Sequence, residues 1–486
     1  MTHGIITAPQ PEAVEAGAMV LKNGGNAVDA AISSALVQTV VDPMMCGIAG
    51  FGSMQLFLPE KNFHGFIDFH TTAPSSVKED MWEKEISHEA RDGFGFILKN
   101  RANEVGYESI MTPGTLKAFF EAITEFGTMQ WKEIIQPAIN YASEGFTVSP
   151  AIDEFWDRSA GHGRISMDEK LRLNETANSI FLDQNGNTFP IGTRIKNKDM
   201  EDTLKHIKEE GIEAFYNGHI AKKIINDMEI NGGLLSLQDL NDYKTVRNDP
   251  LWGNYKGLKV ATNQPPGGGI MVIQMLNILD NFDLKSMGHN SPEYIATVSE
   301  AMKYATIDKD AKVGDPDYLN VPISDLIDPK YGLEIANLIK NGIRANVVRY
   351  GDSKESEDTT HIAVMDELGN TASMTHSLGM PSGVITKGLG FMYNGCMSVF
   401  DPRPGMPGSI EPGKRRFTGM SPTIIFKNDD PYIVVGAPGG TYITMGVLQS
   451  ILNVIEFDMN MQEAVSAPRF TANSNAIDVT NRIPRF

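Results

Sequence analysis

The chain has 486 residues, 41% of them hydrophobic and 21% charged, with 46 Gly and 26 Pro. These proportions exclude a disordered chain, a fibre and a coiled coil, and the length suits about three domains or one large layered one. Net charge is −19, of which residues 1–358 carry −18, an excess that suits solubility and opposes binding to nucleic acid or an anionic membrane. Two cysteines, Cys46 and Cys396, cannot build a disulfide framework. No apolar run approaches the roughly 20 residues of a membrane span. The N-terminus has no charged segment followed by an apolar one. A cytoplasmic location is expected as the sequence stands, and a periplasmic or secreted one where a leader precedes it.

Two helices are predicted first. Pro9 to Lys22 carries Val14, Ala18 and Leu21 at helical spacing and ends at Gly24–Gly25. Asn26 can cap the next helix, Ala27 to Val41, which Asp42–Pro43 stops. CGIAGFGSMQLFL follows, glycines and then an alternating strand. Gly47, Gly50 and Gly52 come after a helix and before a strand, the wrong order for a nucleotide loop, so close backbone packing is expected there. Residues 80–110 read as a charged surface excursion. Pro113 to Phe146 reads as helices broken at Gly127 and Gly145, and 150–260 as mostly helical. NQPPGGGIMVIQMLNIL is a Pro/Gly loop feeding an apolar helix, and 291–341 are further helices. GDSKESED then reads as an exposed loop. THIAVMD, ELGN and TASMTHSL predict a β-hairpin, and SPTIIFK, NDD and PYIVVGA a second. The order, mainly helix and then mainly strand, points to an α+β fold.

Ten histidines are scattered, and none stands in a metal-ligand spacing. His361 and His376, on opposite arms of one hairpin, are too few for a site. No metal and no other cofactor is expected. There is neither a phosphate-binding P-loop nor a GxSxG elbow. The loop-to-strand junction Asp358-Thr359-Thr360-His361 remains. A threonine hydroxyl is a poor nucleophile without an adjacent base. An N-terminal threonine carries its own, because an α-amine titrates near 8 and a backbone amide cannot act as a base. Such an enzyme must first cut its own chain. Taken alone, Thr-Thr at a strand start is usually just β-propensity.

NGGNAVDAAISSALVQTVVDP, FHTTAPSSV, MTPGTLKAFFEAITEFGTM, PAINYASEGF and PPGGGIMVIQMLNIL resemble stretches of γ-glutamyltranspeptidases. So do EAMKYATIDKDAKVGDP, DTTHIAVMDELGNTASMTHSL, MSPTIIF, GAPGG and AVSAPRF, in the family's order and across nearly the whole chain. The resemblance implies an N-terminal-nucleophile hydrolase with a four-layer αββα sandwich. It implies self-cleavage between Asp358 and Thr359, giving a mainly helical segment 1–358 and a mainly strand segment 359–486 that stay associated as a heterodimer. Thr359 would serve both autoprocessing and catalysis, through an acyl-enzyme released by water or an amine acceptor. Gly439 and Gly440 match the family's oxyanion-hole glycines, Ser377 the hydroxyl that supports the nucleophile, and Thr360 the neighbour that shapes the site. The implied substrate is a small amide, γ-glutamyl or similar.

Substrate recognition departs from the pattern. His70 replaces the arginine of RExAP that grips the substrate's α-carboxylate, and a neutral imidazole offers no charged fork. Met397-Ser398-Val399-Phe400 replaces MDDF, whose acidic pair holds the α-amino group. Thr418 and Gly419 replace two serines, and Gly379 an asparagine. Altered, non-glutamyl acyl specificity is therefore expected, with Val399 and Gly419 making the pocket less polar and roomier. Arg403, Lys414, Arg415 and Arg416 are candidate replacement anchors or plain loop charges. The family typically runs several dozen residues past APRF, whereas this sequence stops at Phe486: either a fragment or a naturally short member is expected, and missing strands would leave the central sheet with an uncovered edge. The opposing expectations are a true γ-glutamyltransferase or glutathione hydrolase and, in another class, an uncleaved, proenzyme-like binding or structural protein.

Overall fold

The computed structural model describes residues 4–90, 93, 95–157, 164–350 and 360–483. The junction residues Asp358 and Thr359, the loop GDSKESED and the last three residues lie outside the described residues.

Two antiparallel sheets form the centre. The first has six strands in the order Ile5–Thr7, Thr360–Met365, Thr371–Ser377, Phe51–Leu58, Phe63–Phe69, Val246–Asn248. The second has four, in the order Asp430–Val435, Thr423–Lys427, Leu258–Thr262, Leu251–Tyr255. Both expected hairpins are present, and the second turns at Asn428 and Asp429 with φ of 54° and 68°, the left-handed pair that tight hairpins need.

The first sheet is covered by the helix Ala27–Val41, every residue of which is buried. Asn26 starts it, accepting from the Val28 and Asp29 N–H groups while Asp29 returns a bond to the Asn26 N–H. Small residues on that helix let it lie close to the sheet and to the helix Pro11–Lys22. The second sheet is covered by Gly269–Leu279, itself fully buried, with Pro292–Lys312, Pro329–Lys340 and Tyr442–Phe457 behind and beside it. The sheets meet face to face. Phe57 and Phe426 pack edge to face at 5.1 Å, and His64 packs on Trp252 at 5.2 Å. The result is the αββα sandwich expected of the family. Among the described residues no helix is long and apolar enough to cross a membrane.

The stretch 150–260 differs from its reading as mostly helical. Val246–Asn248 is an edge strand of the first sheet, and Leu251–Tyr255 with Leu258–Thr262 is a hairpin in the second. The Lys256–Gly257 turn, both residues at positive φ, was the legible signal. Each sheet therefore draws strands from both sides of the 358/359 junction. Helix and strand segments interleave and do not form separate domains.

The glycines before the strand Phe51–Leu58 do serve close packing. A Cβ on Gly50 would lie 2.3 Å from the Ser377 carbonyl oxygen, and one on Gly52 2.4 Å from that of Thr375. Gly52→Ala is expected to destabilise the protein by about 1–3 kcal/mol, the usual cost of overpacking. Urea unfolding of the variant beside the parent checks this, and equal midpoints would refute it.

Candidate active site

The register of the hairpin Thr360–Met365/Thr371–Ser377 places Thr360 opposite His376, and Ser377 pairs with Phe51 on the far side. Alternation then sorts the side chains. Thr360, Ile362 and Val364 are buried towards the helix Ala27–Val41, and His361 lies against Gly436 at the end of the second sheet.

Thr360 sits on a buried polar chain. Its hydroxyl accepts from the Gln38 side-chain amide at 3.1 Å, and Gln38 Oε1 lies 2.7 Å from His376 Nε2. Gln38 also donates to Gln10, which donates to Asp42 at 2.6 Å. Thr360 was expected to shape the substrate pocket. Its side chain instead faces the helix, so it anchors the strand. His361 and His376 do not converge. His361 Nδ1 is 2.9 Å from the Thr375 hydroxyl on one face, and His376 meets Gln38 on the other. Burial pushes both imidazoles down to about 3, so they are neutral near neutral pH.

Ser377 is buried, not solvent-facing. Its hydroxyl donates to the Met45 carbonyl at 3.3 Å and accepts from the Gly379 N–H at 2.8 Å. Gly379 has φ of +71°, and a Cβ there would meet Cys396 Sγ at 2.8 Å, Arg416 Nη2 at 3.0 Å and the Phe51 ring at 3.4 Å. Gly439 and Gly440 have φ of +122° and +54°, conformations that glycine adopts without strain. They precede the helix Tyr442–Phe457, whose positive end favours a developing anion.

Gly419 does not open room. A Cβ on it would lie 2.3 Å from the Gly440 carbonyl oxygen, and one on Gly268 would lie 2.6 Å from the Gly419 oxygen. Three backbone segments stack there, and glycine at 419 lets the Gly439–Gly440 turn close up. Thr418 is also structural: its N–H donates to the Pro266 carbonyl at 2.9 Å, and its hydroxyl accepts from the Met420 N–H at 3.3 Å. Val399 does face space. It borders a cavity of about 440 Å³ shared with Phe96, Val313, Phe417, Lys309 and Arg403. The Ser398 hydroxyl turns away, donating to the Gly395 carbonyl at 2.8 Å.

His70 is buried, and neither ring nitrogen has a hydrogen-bond partner among the described residues. The nearest carboxylate oxygen, on Asp68, is 3.9 Å away. Burial, with Arg415 and Arg416 nearby, pushes the imidazole down to about 3. Position 70 therefore carries no charge. Of the four basic candidates, Arg403 pairs with Asp401, Lys414 with Glu411, and Arg415 with Asp315 and Asp317. Arg416 lies over the Phe51 ring at 4.5 Å, beside Gly379 and Cys396. The structure thus gathers Ser377, Gly379 and His70 around Phe51 and Arg416, and Gly419 with Gly440 along the same 416–419 segment.

Sequence reasoning missed Gln10, Gln38 and Asp42, whose meeting depends on packing between distant segments. It also missed His206, Glu210 and His219, the one group of metal-ligand types that converges among the described residues. All three are exposed, and Glu210 already contacts both rings, at 2.9 and 3.3 Å.

The family sequence model described as Gamma-glutamyltranspeptidase matches residues 13–485. The chain is similar to the Acylase ACY 1 proenzyme of Pseudomonas sp. (strain V22), 35% identical over 99% of this chain and 85% of the relative. It is similar to the glutathione hydrolase proenzyme of Bacillus subtilis (strain 168), 34% identical over 97% of this chain and 81% of the relative. Among solved structures it resembles the cephalosporin acylase from Bacillus halodurans, with a TM-score of 0.84 and 26% identity over 99% of this chain and 86% of that one.

Asp42 makes the buried chain pH-sensitive. Burial pushes its carboxyl from the ordinary 3.8 up to about 7. A raised folded value means that the fold prefers the protonated acid, so this stability is complete below 3.8 and is lost as pH rises towards 7. Asp42→Asn is expected to flatten the melting temperature across that window relative to the parent. Parallel pH profiles for the two proteins would refute this.

Proposed function

The chain belongs to the gamma-glutamyltranspeptidase family, and we propose that it is a self-processing acylase that takes acyl groups other than γ-glutamyl. The observation that carries this reading is a split within the site. The left-handed Gly439–Gly440 turn and the buried Ser377 hydroxyl keep the chemical machinery, while neutral His70 and uncharged Ser398–Val399 replace both charged anchors. Similarity to an acylase proenzyme and to a cephalosporin acylase supports it.

In this reading Thr359 Oγ attacks the Asp358 carbonyl, and the Asp358–Thr359 peptide becomes an ester. Water hydrolyses the ester, freeing the Asp358 carboxylate, the Thr359 hydroxyl and its α-amine. The products, 358 and 128 residues long, remain together as a heterodimer. In turnover the α-amine takes the hydroxyl proton as Oγ attacks the substrate amide. Backbone N–H groups at Gly439 and Gly440 stabilise the oxyanion, a term often worth about 2.7–4 kcal/mol per donor. The tetrahedral intermediate collapses, the C–N bond breaks, and the leaving amine takes the proton. Water, or an amine acceptor, then releases the acyl group from Thr359.

Intact mass spectrometry tests the first step: fragments 1–358 and 359–486 are expected, and Thr359→Ala should give one uncut, inactive chain. An uncut parent chain would refute the enzyme reading and favour a binding protein. For specificity, a γ-glutamyl anilide is expected to be cleaved about 10²-fold or more below the best non-glutamyl anilide, because two charged contacts are gone. A γ-glutamyl anilide that outpaces every other acyl group would establish a glutathione-hydrolase-type enzyme instead.

A further inference from the structure

We propose that His206, Glu210 and His219 form a surface site for a divalent transition-metal ion of the zinc type, which ties two helices together. The site is independent of the acylase reading. The helix Lys198–Glu210 carries two of the ligands, and His219 opens the helix His219–Ile230. His206 and Glu210 are four residues apart, so both side chains leave one face of the first helix near its C-terminal end. The chain then turns through Gly211, at φ of +78°, and the short helix Glu213–Tyr216 before His219 returns beside them.

The donor atoms converge. His206 Nδ1 lies 2.9 Å from one Glu210 oxygen, and His219 Nδ1 lies 3.3 Å from the other. One donor atom of each residue lies within 4.8 Å of those of the other two. Around a tetrahedral zinc ion with arms of about 2.0–2.2 Å, neighbouring donors stand roughly 3.3–3.6 Å apart. Small side-chain rotations therefore bring the three atoms to that spacing. The two imidazoles cross at 71° with centroids 4.7 Å apart. Rings so crossed can each turn a nitrogen to a common point, as both Nδ1 atoms already do towards Glu210. Packing holds the ligands' backbone without a metal: Met200, Leu204 and Ile207 bury the inner face of the first helix, and Ile220, Ile224 and Met228 that of the second. The side chains themselves are 54%, 48% and 49% exposed, so an ion reaches them from solvent.

The lysines of the first helix are engaged elsewhere. Lys198 pairs with Glu201 and Asp202, Lys205 with Glu201, and Lys208 donates to Gln136 Oε1 at 2.6 Å. Among the described residues Glu210 pairs with the two imidazoles and with no lysine or arginine. Two nitrogens and one carboxylate suit zinc, nickel or copper, and not magnesium or calcium, which take oxygen. Water completes the shell on the open side. Exposed ion pairs contribute little on their own, so it is the metal that turns this cluster into a clamp. The helix Lys198–Glu210 packs on Gln136–Glu144, which packs on Ala27–Val41, which covers the strand Thr360–Met365. At that remove the metal acts on the helix pair and not on the chemistry, and the test reads binding and not turnover.

The test titrates the full chain, without a histidine tag and freed of metal by a chelator, with zinc chloride in a calorimeter. One equivalent is expected to bind, magnesium chloride at the same concentration is not, and the melting temperature should rise with zinc. His206→Ala, Glu210→Gln and His219→Ala should each weaken that binding by about tenfold or more, since losing even a partner outside the ligand shell costs about 10- to 100-fold. No zinc binding beyond that of magnesium overturns the proposal, and so does binding that persists unchanged in the double variant His206→Ala/His219→Ala. A second measurement needs only the parent chain and decides the matter where a variant fails to fold. Diethyl pyrocarbonate labels an imidazole through its free lone pair, and peptide masses report which rings have reacted. Saturating zinc should protect His206 and His219 and leave the other histidine peptides as they were. Undiminished labelling of His206 and His219 in zinc overturns the proposal. The outcome at these three residues leaves the acylase reading untouched, because self-cleavage and acyl specificity are measured separately.

Discussion

The pairing of Thr360 with His376 and of Ser377 with Phe51 is the constraint from which the site follows. An antiparallel hairpin brings the start of one arm beside the end of the other, so a strand beginning at Thr360 must begin beside Ser377. The side-chain period is two, and a slip of one residue would turn Thr360 away from Gln38 and bring His361 to the helix. Gly50 and Gly52 hold the register from the neighbouring strand, where any larger residue would strike the carbonyls of Ser377 and Thr375. The helix Ala27–Val41 holds it from behind through Gln38. A few close backbone contacts thus specify where a nucleophile entering that strand would stand.

Electrostatics narrow the choice of base. His70, His361 and His376 are all buried and all pushed down to about 3. An imidazole with so low a pKa holds a proton poorly and is a weak general base near neutral pH. Asp42 is poised near 7, but it lies behind the strand, bound to Gln10. An α-amine created by cleavage escapes this limit, since its ordinary value is already near 8. The burial that keeps the histidines neutral favours a base that the chain makes for itself.

Elements with a strong local signature were legible in the sequence. Asn26 and Asp42–Pro43 bracketed the helix Ala27–Val41, and alternation with turn residues marked both C-terminal hairpins. The hairpin Leu251–Thr262 was not read, because its strands are short and follow a long helical stretch; only the Lys256–Gly257 turn spoke for it. Gly439 and Gly440 were legible as a motif, whereas the meaning of Gly419 was not. In sequence it is a lost serine side chain, and in space it is the clearance for the Gly440 carbonyl. Likewise Arg403, Lys414 and Arg415 read as open anchors until Asp401, Glu411, Asp315 and Asp317 were seen to engage them. Packing partners hundreds of residues apart leave no periodic trace.

The strand order also bears on why a self-cleaving chain need not fall apart. The segment before the junction supplies four of the six strands of the first sheet and two of the four in the second. Separating the pieces would break the Ser377–Phe51 ladder, the Ile5–Thr7 pairing with Thr360–Met365 and the Leu258–Thr262 pairing with Thr423–Lys427. It would also expose the helix Ala27–Val41 and the helix Gly269–Leu279, whose residues are all buried. At about 1.5–3 kcal/mol for each large apolar side chain, that exposure far outweighs the entropy released by one cut bond. Interleaving is therefore what makes a nick at the head of a central strand tolerable: the fold is held by its sheets, and the peptide bond there is free to serve the chemistry.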